Sequence, residues 1–388
     1  MAELANWGPE DFEIHASKIS NTPLVPRPPP PPPTSSPTTT AAETSPPPPP
    51  IPYLLSCHDY KGGYHPSEAC QGQFPAPATP IYSAVHLNVI DTFIYFSHNL
   101  VSIPPAPWIN TLHRNGVRAL GTFIVEHASG STALTRLFDK GSEGEYIFAT
   151  KLAQITEIYG FDGWLMNIEA VFPRESFSPG ELQAFLTELR SGVKELVPGG
   201  EVIWYDALTV LNQVHWQNGL TLLNVPFFKV SDGLFTNYGW REGQLEATRA
   251  MAGTMGRVQD VYSGVDCFGR GSLGDGGFGV GEALSAIHKV GTSAALFAPG
   301  WTFEHFDGEN FESIDRKFWV GDGSDVESNP VKPVSYFVSE KPCGGSQFFY
   351  TSFNRAFGKG WWIDGVVRST PQPHFPTHAM LIHCNRKS

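Results

Sequence analysis

The sequence predicts an α/β protein built on a (β/α)8 TIM barrel, and three observations carry that expectation. Eight short, β-rich apolar runs recur through the chain. Their starts lie 25 to 44 residues apart, close to the length of one strand-plus-helix unit of about 30 residues or more. The intervals between them carry the apolar period and the end signals of helices. Near-continuous apolar strands that alternate with helices imply parallel strands buried on both faces, and eight such units is the barrel number. An open doubly wound sheet is the alternative, weakened because no G-x-G-x-x-G opens a helix after the first strand.

The strand runs, in order, are IPYLLSCHDY from Ile51, DTFIYFSH from Asp91, GVRALGTFIVE from Gly116 and GFDGWLMNIE from Gly160. EVIWYDA from Glu201, DGLFTNYGW from Asp232, DVYSGVDCFG from Asp260 and TSAALFAPGW from Thr292 complete the set. Between them, Ser178-Pro179-Gly180-Glu181 has the form of a capping box with Pro at the first helical position. Behind it Leu182, Phe185, Leu186, Leu189, Val193 and Leu196 form a stripe of helical period. Tyr146 to Tyr159 reads the same way, with Gly160 as its C-cap; Glu242–Met255 and Gly281–Val290 also read as helices.

Composition divides the 388 residues into unequal parts. Fourteen of the 34 prolines fall between Pro23 and Pro50, spaced by Ser and Thr. Residues 1–50 are therefore expected to be a disordered Pro-rich tail, since Pro, Ser and Thr bury too little to offset chain entropy. Polyproline runs suit an SH3- or WW-type partner, and a plain spacer is the simpler reading. Residues 51–320 form the expected barrel. From 321 to 388, Gly-, Ser- and Asp-rich turns surround short runs such as QFFYTSFN and KGWWIDGVV, the pattern of antiparallel β structure and the start of a sandwich.

Several function classes are excluded early. The formal charge is −12 and no Lys/Arg cluster occurs, so the counterion-release footprint of a nucleic-acid binder is missing. No apolar run reaches the roughly 18 residues that a membrane-spanning helix needs. The five cysteines (Cys57, Cys70, Cys267, Cys343 and Cys384) are scattered, with no C-x-x-C pair. That argues against a disulfide framework and a structural zinc site. The start MAELANWGPEDFEI lacks a basic and an apolar signal region, so a reducing, cytosolic location is the expectation.

In a barrel the chemistry sits where strands end. The fourth run ends Met166-Asn167-Ile168-Glu169; residues two apart on a strand face one way, so Asn167 and Glu169 should project together into the mouth. On its own an N-x-E is a common surface pair. The segment F-D-G-W-L-M-N-I-E, however, has the frame of the D-G-x-D-x-D-x-E pattern that ends the fourth strand of family 18 chitinases. Asn167 takes the place of the residue that orients the substrate's acetamido group, Leu165 that of an earlier Asp, and Glu169 that of the acid. An amide offers both a donor and an acceptor to an acetamide. Substrate-assisted hydrolysis of an N-acetylglucosaminide, outside the usual two-carboxylate scheme, is the sharp reading.

Longer blocks make a resemblance specific. CHDYKGGY (57–64), the segment 91–126, FDGWLMNIE (161–169), VPGGEVIWYDAL (197–208), VSDGLFTNYGWRE (230–242), VYSGVDCFGRG (261–271) and ALFAPGWTFE (295–304) resemble glycoside hydrolase family 85. Its cytosolic endo-β-N-acetylglucosaminidases cut the chitobiose core of N-glycans on glycoproteins or free oligosaccharides. The resemblance implies retention of configuration and no metal or other cofactor. It also implies Asn167 as orienting amide, Glu169 as acid/base, and Tyr205 as support for an oxazoline-like intermediate. Weaker candidates at the tips are Phe123, Trp240 and Trp301 for stacking on sugar faces, although each also suits a core. Asn237, Asp266, Glu126 and His98 are candidates for binding sugar hydroxyls. Asp206 suits a supporting hydrogen-bond role better than a second catalytic one. A non-catalytic carbohydrate-binding barrel and a two-carboxylate glycosidase are the competing readings. Relatives continue into β-sandwich domains, so the short C-terminal segment reads as a truncation.

Overall fold

The computed structural model describes residues 1–11, 50–65, 68, 82–323, 331–341, 361–363 and 366–369. All eight expected runs form strands: β1 (Leu54–Asp59), β2 (Thr92–Phe96), β3 (Arg118–Glu126), β4 (Gly163–Glu169), β5 (Glu201–Tyr205), β6 (Gly233–Phe235), β7 (Val261–Asp266) and β8 (Ser293–Phe297). Each pairs in parallel with its neighbour, and β8 pairs with β1, so the sheet closes into a ring. A two-residue strand, Val101–Ser102, lies antiparallel on the upper half of β3.

Alternation along the strands sorts side chains into two cores. Leu55, Cys57, Ile94, Phe96, Leu120, Ile124, Leu165, Ile203, Tyr205, Phe235, Tyr262 and Ala295 fill the barrel interior. The residues between them belong to a larger core shared with the surrounding helices. Leu182, Phe185, Leu186, Leu189 and Val193 of helix Pro179–Leu196 are buried in that layer, as the stripe predicted. The hydroxyl of Ser178 accepts the backbone N–H of Glu181 at 3.3 Å, which is half of the expected capping box. The other half is missing, because the Glu181 carboxylate accepts the Tyr146 hydroxyl at 2.6 Å instead. Helix Ile147–Tyr159 ends on Gly160 at φ 71°. Three residues on, Gly163 is required by space, since a Cβ there would stand 1.8 Å from the carbonyl oxygen of Glu201 on β5.

Two stretches outside residues 51–320 pack on the barrel. The first eleven residues do not share the composition of the Pro-rich stretch, and they dock: helix Ala2–Asn6 buries Leu4 in the outer core. Trp7 packs against Tyr159 with ring centroids 6.5 Å apart, and Lys151 Nζ donates to the Trp7 carbonyl at 2.6 Å. The rest of the expected tail, 12–49, lies outside the described residues. At the other end, residues 331–341 belong with the barrel: Val334, Phe337 and Val338 join the outer core, and Ile51 N–H donates to the Phe337 carbonyl at 2.8 Å. Trp361–Ile363 pairs antiparallel with Val366–Ser369, while QFFYTSFN lies outside the described residues.

Candidate active site

The mouth of the barrel is made by the inward-facing residues at the strand ends. On β4, Asn167 and Glu169 follow Leu165 on the inner face, so the twofold period of a strand places both side chains over the interior core. Asn167 Nδ2 donates to Glu169 Oε1 at 2.9 Å. Asn167 is 2% exposed, and its Oδ1 has no hydrogen-bond partner among the described residues. A buried, unsatisfied amide oxygen costs about 1–3 kcal/mol, so it needs an explanation, and a donor brought by a ligand supplies one. Burial pushes the Glu169 carboxyl above the usual carboxylate range, and the charge of Glu126 adds to this. The Asn167 donor, His127 and His98 pull the other way. Glu126 is the register partner of Glu169 on β3, and its Oε2 lies 2.9 Å from His98 Nδ1. That hydrogen bond is the main reason the His98 imidazole is more basic than usual.

Tyr205 ends β5 on the inner face. Burial, then the Glu169 charge, holds its phenol well above the ordinary tyrosine value. Its hydroxyl donates to Asn237 Oδ1 at 3.1 Å, so Asn167, Glu169, Tyr205, Asn237, Glu126 and His98 do converge on one mouth. Asp206, the next residue, is buried, and its donors among the described residues come from the neighbouring loops. Burial raises its carboxyl to about 6 against the pull of those donors.

Four candidates are placed differently from expectation. Phe123 is fully buried in the outer core, because Ile124 and Glu126 hold the inner face and Phe123 has the opposite parity. Trp240 is fully buried too, with its indole N–H donated to the Gly264 carbonyl at 2.7 Å. Trp301 begins the short helix Trp301–Glu304 and packs on His305, Phe278 and Phe306 behind the wall. All three rings are buried. Asp266 is fully buried with both oxygens in use: Oδ1 accepts from Phe268 N and Arg270 Nη2, Oδ2 from Arg270 N and Nε. Its carboxylate therefore serves the loop after β7, and the group it holds out is Arg270.

Arg270 is one of the residues that sequence reasoning missed. Its guanidinium lies 5.5 Å from the Phe297 ring centroid, 5.7 Å from that of Phe268 and 6.0 Å from that of Tyr238. Asp59 is another; it ends β1 with the parity of Leu55 and Cys57, and burial raises its carboxyl while His98 and Arg270 oppose the rise. The parity that singled out Asn167 and Glu169 also picks out Asp59 within CHDY. Besides Tyr205, Phe235 and Tyr262, the rings of Phe96 and Phe297 pack in the interior cluster, 5.6 Å apart, and the Tyr238 ring lies 6.3 Å from that of Phe297. Trp216, 43% exposed on the loop after β5, adds an indole that no motif marked. Among the described residues no group of three His, Cys, Asp or Glu side chains is arranged to hold a metal ion, and no helix is long and apolar enough to cross a membrane.

Comparison with known proteins agrees with this geometry. The model of glycosyl hydrolase family 85 matches residues 64–361. The cytosolic endo-beta-N-acetylglucosaminidase of Gallus gallus is 45% identical over 268 residues, covering 69% of this chain and 36% of the relative. The corresponding Homo sapiens protein is 44% identical over 269 residues, covering 69% and 35%. Cytosolic endo-beta-N-acetylglucosaminidase 2 of Arabidopsis thaliana is 39% identical over 314 residues, covering 81% and 42%. This chain thus spans well under half the length of the curated relatives it matches. The crystal structure of the glycoside hydrolase domain of Endo-D from Streptococcus pneumoniae R6 superposes with a TM-score of 0.69 at 19% identity. The superposition covers 87% of this chain and 53% of that one, a likeness of fold. With the family model matched across most of the barrel and relatives above 40% identity, the chain belongs to glycosyl hydrolase family 85.

Proposed function

We propose that this chain is an endo-β-N-acetylglucosaminidase of the cytosol that cuts GlcNAc-β-1,4-GlcNAc in the core of N-glycans, on glycoproteins or free oligosaccharides. It works with retention and without a metal, and it transfers the glycan to an acceptor sugar when one competes with water. The observation that carries the reading is the pair on β4: a carboxyl held up by burial beside an amide whose oxygen is buried and unpartnered among the described residues. Glu169, kept protonated, is the general acid for the leaving oxygen. The acetamide oxygen of the substrate attacks its own C1, and the acetamide N–H finds the acceptor it needs in Asn167 Oδ1. As positive charge develops on that nitrogen, the hydrogen bond strengthens, which stabilises the transition state more than the ground state. Tyr205 braces the acetamide from β5. Glu169, now ionised, then takes a proton from the incoming water or sugar hydroxyl.

The test uses a pre-formed sugar oxazoline. Asn167→Ala should lose hydrolysis of a high-mannose glycopeptide by about 10²-fold or more, the scale of a lost oriented hydrogen bond to a developing charge. It should still join the oxazoline to a GlcNAc acceptor, because the step that needs Asn167 has been bypassed. Hydrolysis that survives the change sinks the mechanism.

A second reading has one observation in its favour. Glu126 and Glu169 are register partners on adjacent strands, a pair of carboxyls side by side. In a double-displacement glycosidase two carboxyls about 5–5.5 Å apart serve as acid and nucleophile. The pairing of Glu126 with His98 speaks against a free nucleophile there. A covalent glycosyl ester trapped on Glu126 would establish this reading in place of the first.

A further inference from the structure

The loop after β7 is built around one buried carboxylate. Asp266 Oδ1 accepts the backbone N–H of Phe268 at 3.3 Å and Arg270 Nη2 at 2.9 Å. Its Oδ2 accepts the backbone N–H of Arg270 at 2.9 Å and Arg270 Nε at 2.7 Å. The turn between them needs Gly269 at φ 83°, where a Cβ would stand 2.1 Å from the Asp275 carbonyl oxygen. The rings of Phe297, Phe268 and Tyr238 flank the guanidinium. Gripped along one edge by a bidentate ion pair and bounded by rings, the fork is fixed before any ligand arrives.

The edge that Asp266 leaves free has a counterpart. The Arg270 side chain is 54% exposed, and its Nη1 donates to no protein group among the described residues. Asp59 ends β1, which pairs with β8 so that Cys57 lies opposite Phe297. The Asp59 carboxyl accepts no hydrogen bond among the described residues, and it and Arg270 each feel the other's charge. Two neighbouring sugar hydroxyls match such a pair, one oxygen accepting from the guanidinium and one O–H donating to the carboxylate. An anion does not match it, because Asp266 already balances Arg270 and Asp59 adds negative charge beside it. In the closed ring of barrel strands β8 stands across the mouth from β4. Glu169 on β4 serves the leaving oxygen, so the leaving part lies on its side and the retained glycan runs toward the opposite wall.

We infer that Arg270 and Asp59 form a subsite for a neutral hexose of the retained glycan, the guanidinium donating to one hydroxyl and the carboxylate accepting from its neighbour. In the N-glycan core that hexose is the β-mannose attached to the GlcNAc whose bond is cut. Asp266 is the positioning residue of the pair, since it sets the direction of the guanidinium. The inference rests on the glycosidase reading above and names the sugar that this wall takes.

The test measures binding of three sugars to the full chain by NMR titration: Manβ1,4-GlcNAc, GlcNAc alone and GlcAβ1,4-GlcNAc, none of which contains the bond to be cut. Arg270→Lys keeps a cation against the buried Asp266 but loses the planar fork. It is expected to weaken Manβ1,4-GlcNAc about tenfold or more, the scale of a hydrogen bond from a charged group. Asp59→Asn leaves the loop after β7 untouched and should weaken the same disaccharide about threefold to tenfold. Binding of GlcNAc alone should change less than about twofold in both variants, because the mannose carries the contact. The inference is overturned if either variant binds Manβ1,4-GlcNAc as the parent chain does, or if GlcNAc alone weakens equally. Tighter binding of the acidic disaccharide than of the neutral one would make Arg270 an anion site and overturn it too. A chain that shows the expected losses and cleaves no chitobiose core keeps the subsite and loses the glycosidase reading. One that cleaves the core with an unchanged KM in Arg270→Lys loses the subsite alone.

Discussion

On β3, Ile124 and Glu126 point into the barrel while Phe123 and Val125 point into the helix layer, and the two faces of this wall have different chemistry. The inner face near the mouth is polar and incompletely satisfied: Asn167 keeps a buried oxygen without a partner among the described residues, and Glu169 and Asp59 hold raised carboxyls. The outer face at the same height is aromatic and filled, with Phe123, Trp240 and Trp301 buried. Residues one position apart therefore serve opposite ends. The outer ones gain by leaving water, and the inner ones hold polar groups ready for a substrate that replaces water. Exposure to the mouth is decided by parity, and residue type follows from it.

Substitutions on the two faces should separate stability from activity. The largest effect is expected on the outer face: Phe123→Ala should cost about 3–5 kcal/mol of unfolding free energy, read by denaturant titration, as for a buried ring lost from a packed core. Its kcat per folded molecule should stay near that of the parent chain, and a selective loss of kcat would place Phe123 in the site after all. On the inner face, Glu169→Gln should reverse the pattern, with the melting temperature nearly kept and turnover down about 10²-fold or more because the transferable proton is gone. Wild-type-like turnover would remove Glu169 from its assigned part.

Further from the mouth, the docked N-terminal helix sharpens the same contrast. Leu4→Ala is expected to cost about 2 kcal/mol, the low end for a truncated core leucine near the surface, with kcat and KM unchanged. A melting temperature that does not move would show that residues 1–11 add nothing to the outer core. The smallest effect is a displaced pH profile. Glu169 must be protonated to act as the acid, so turnover falls as pH rises through its raised value. The charge of Glu126 is one of the causes of that rise, after burial. Removing it by Glu126→Gln makes Glu169 ionise earlier, and the alkaline limb of kcat should move to lower pH while the low-pH plateau keeps most of its height. A limb that stays in place or moves to higher pH would contradict the electrostatic coupling of the two carboxyls.

Much of the fold was legible, because hydrophobic runs that strand pairing buries on both faces leave an unambiguous pattern. All eight runs became barrel strands, and the helix starting at Pro179 began where Ser178 said it should. The site was legible where a strand's own period sufficed: Asn167 and Glu169 lie two apart on a run that had to be β4. Phe123 could have been excluded by the same rule, since Glu126 is three residues away and so faces the other side. Asp59 could have been added by it.

What the sequence by itself determined is the barrel, the order of its strands and the pairing of an amide with a carboxyl at one strand tip, because each depends on residues close together along the chain. The tertiary structure alone decided which polar groups are already taken. Asp266 reads as a free tip carboxylate until Arg270 is seen closing both of its oxygens, and Glu181 as half of a capping box until Tyr146 claims it. The four donors on Asp206 come from residues 11 to 31 positions away, and the side-chain amide of Asn237 meets Tyr205 only once β5 and β6 lie side by side. Nearest-neighbour periodicity fixes which way a side chain points; whether its hydrogen bonds are satisfied depends on partners that only the closed barrel brings within reach.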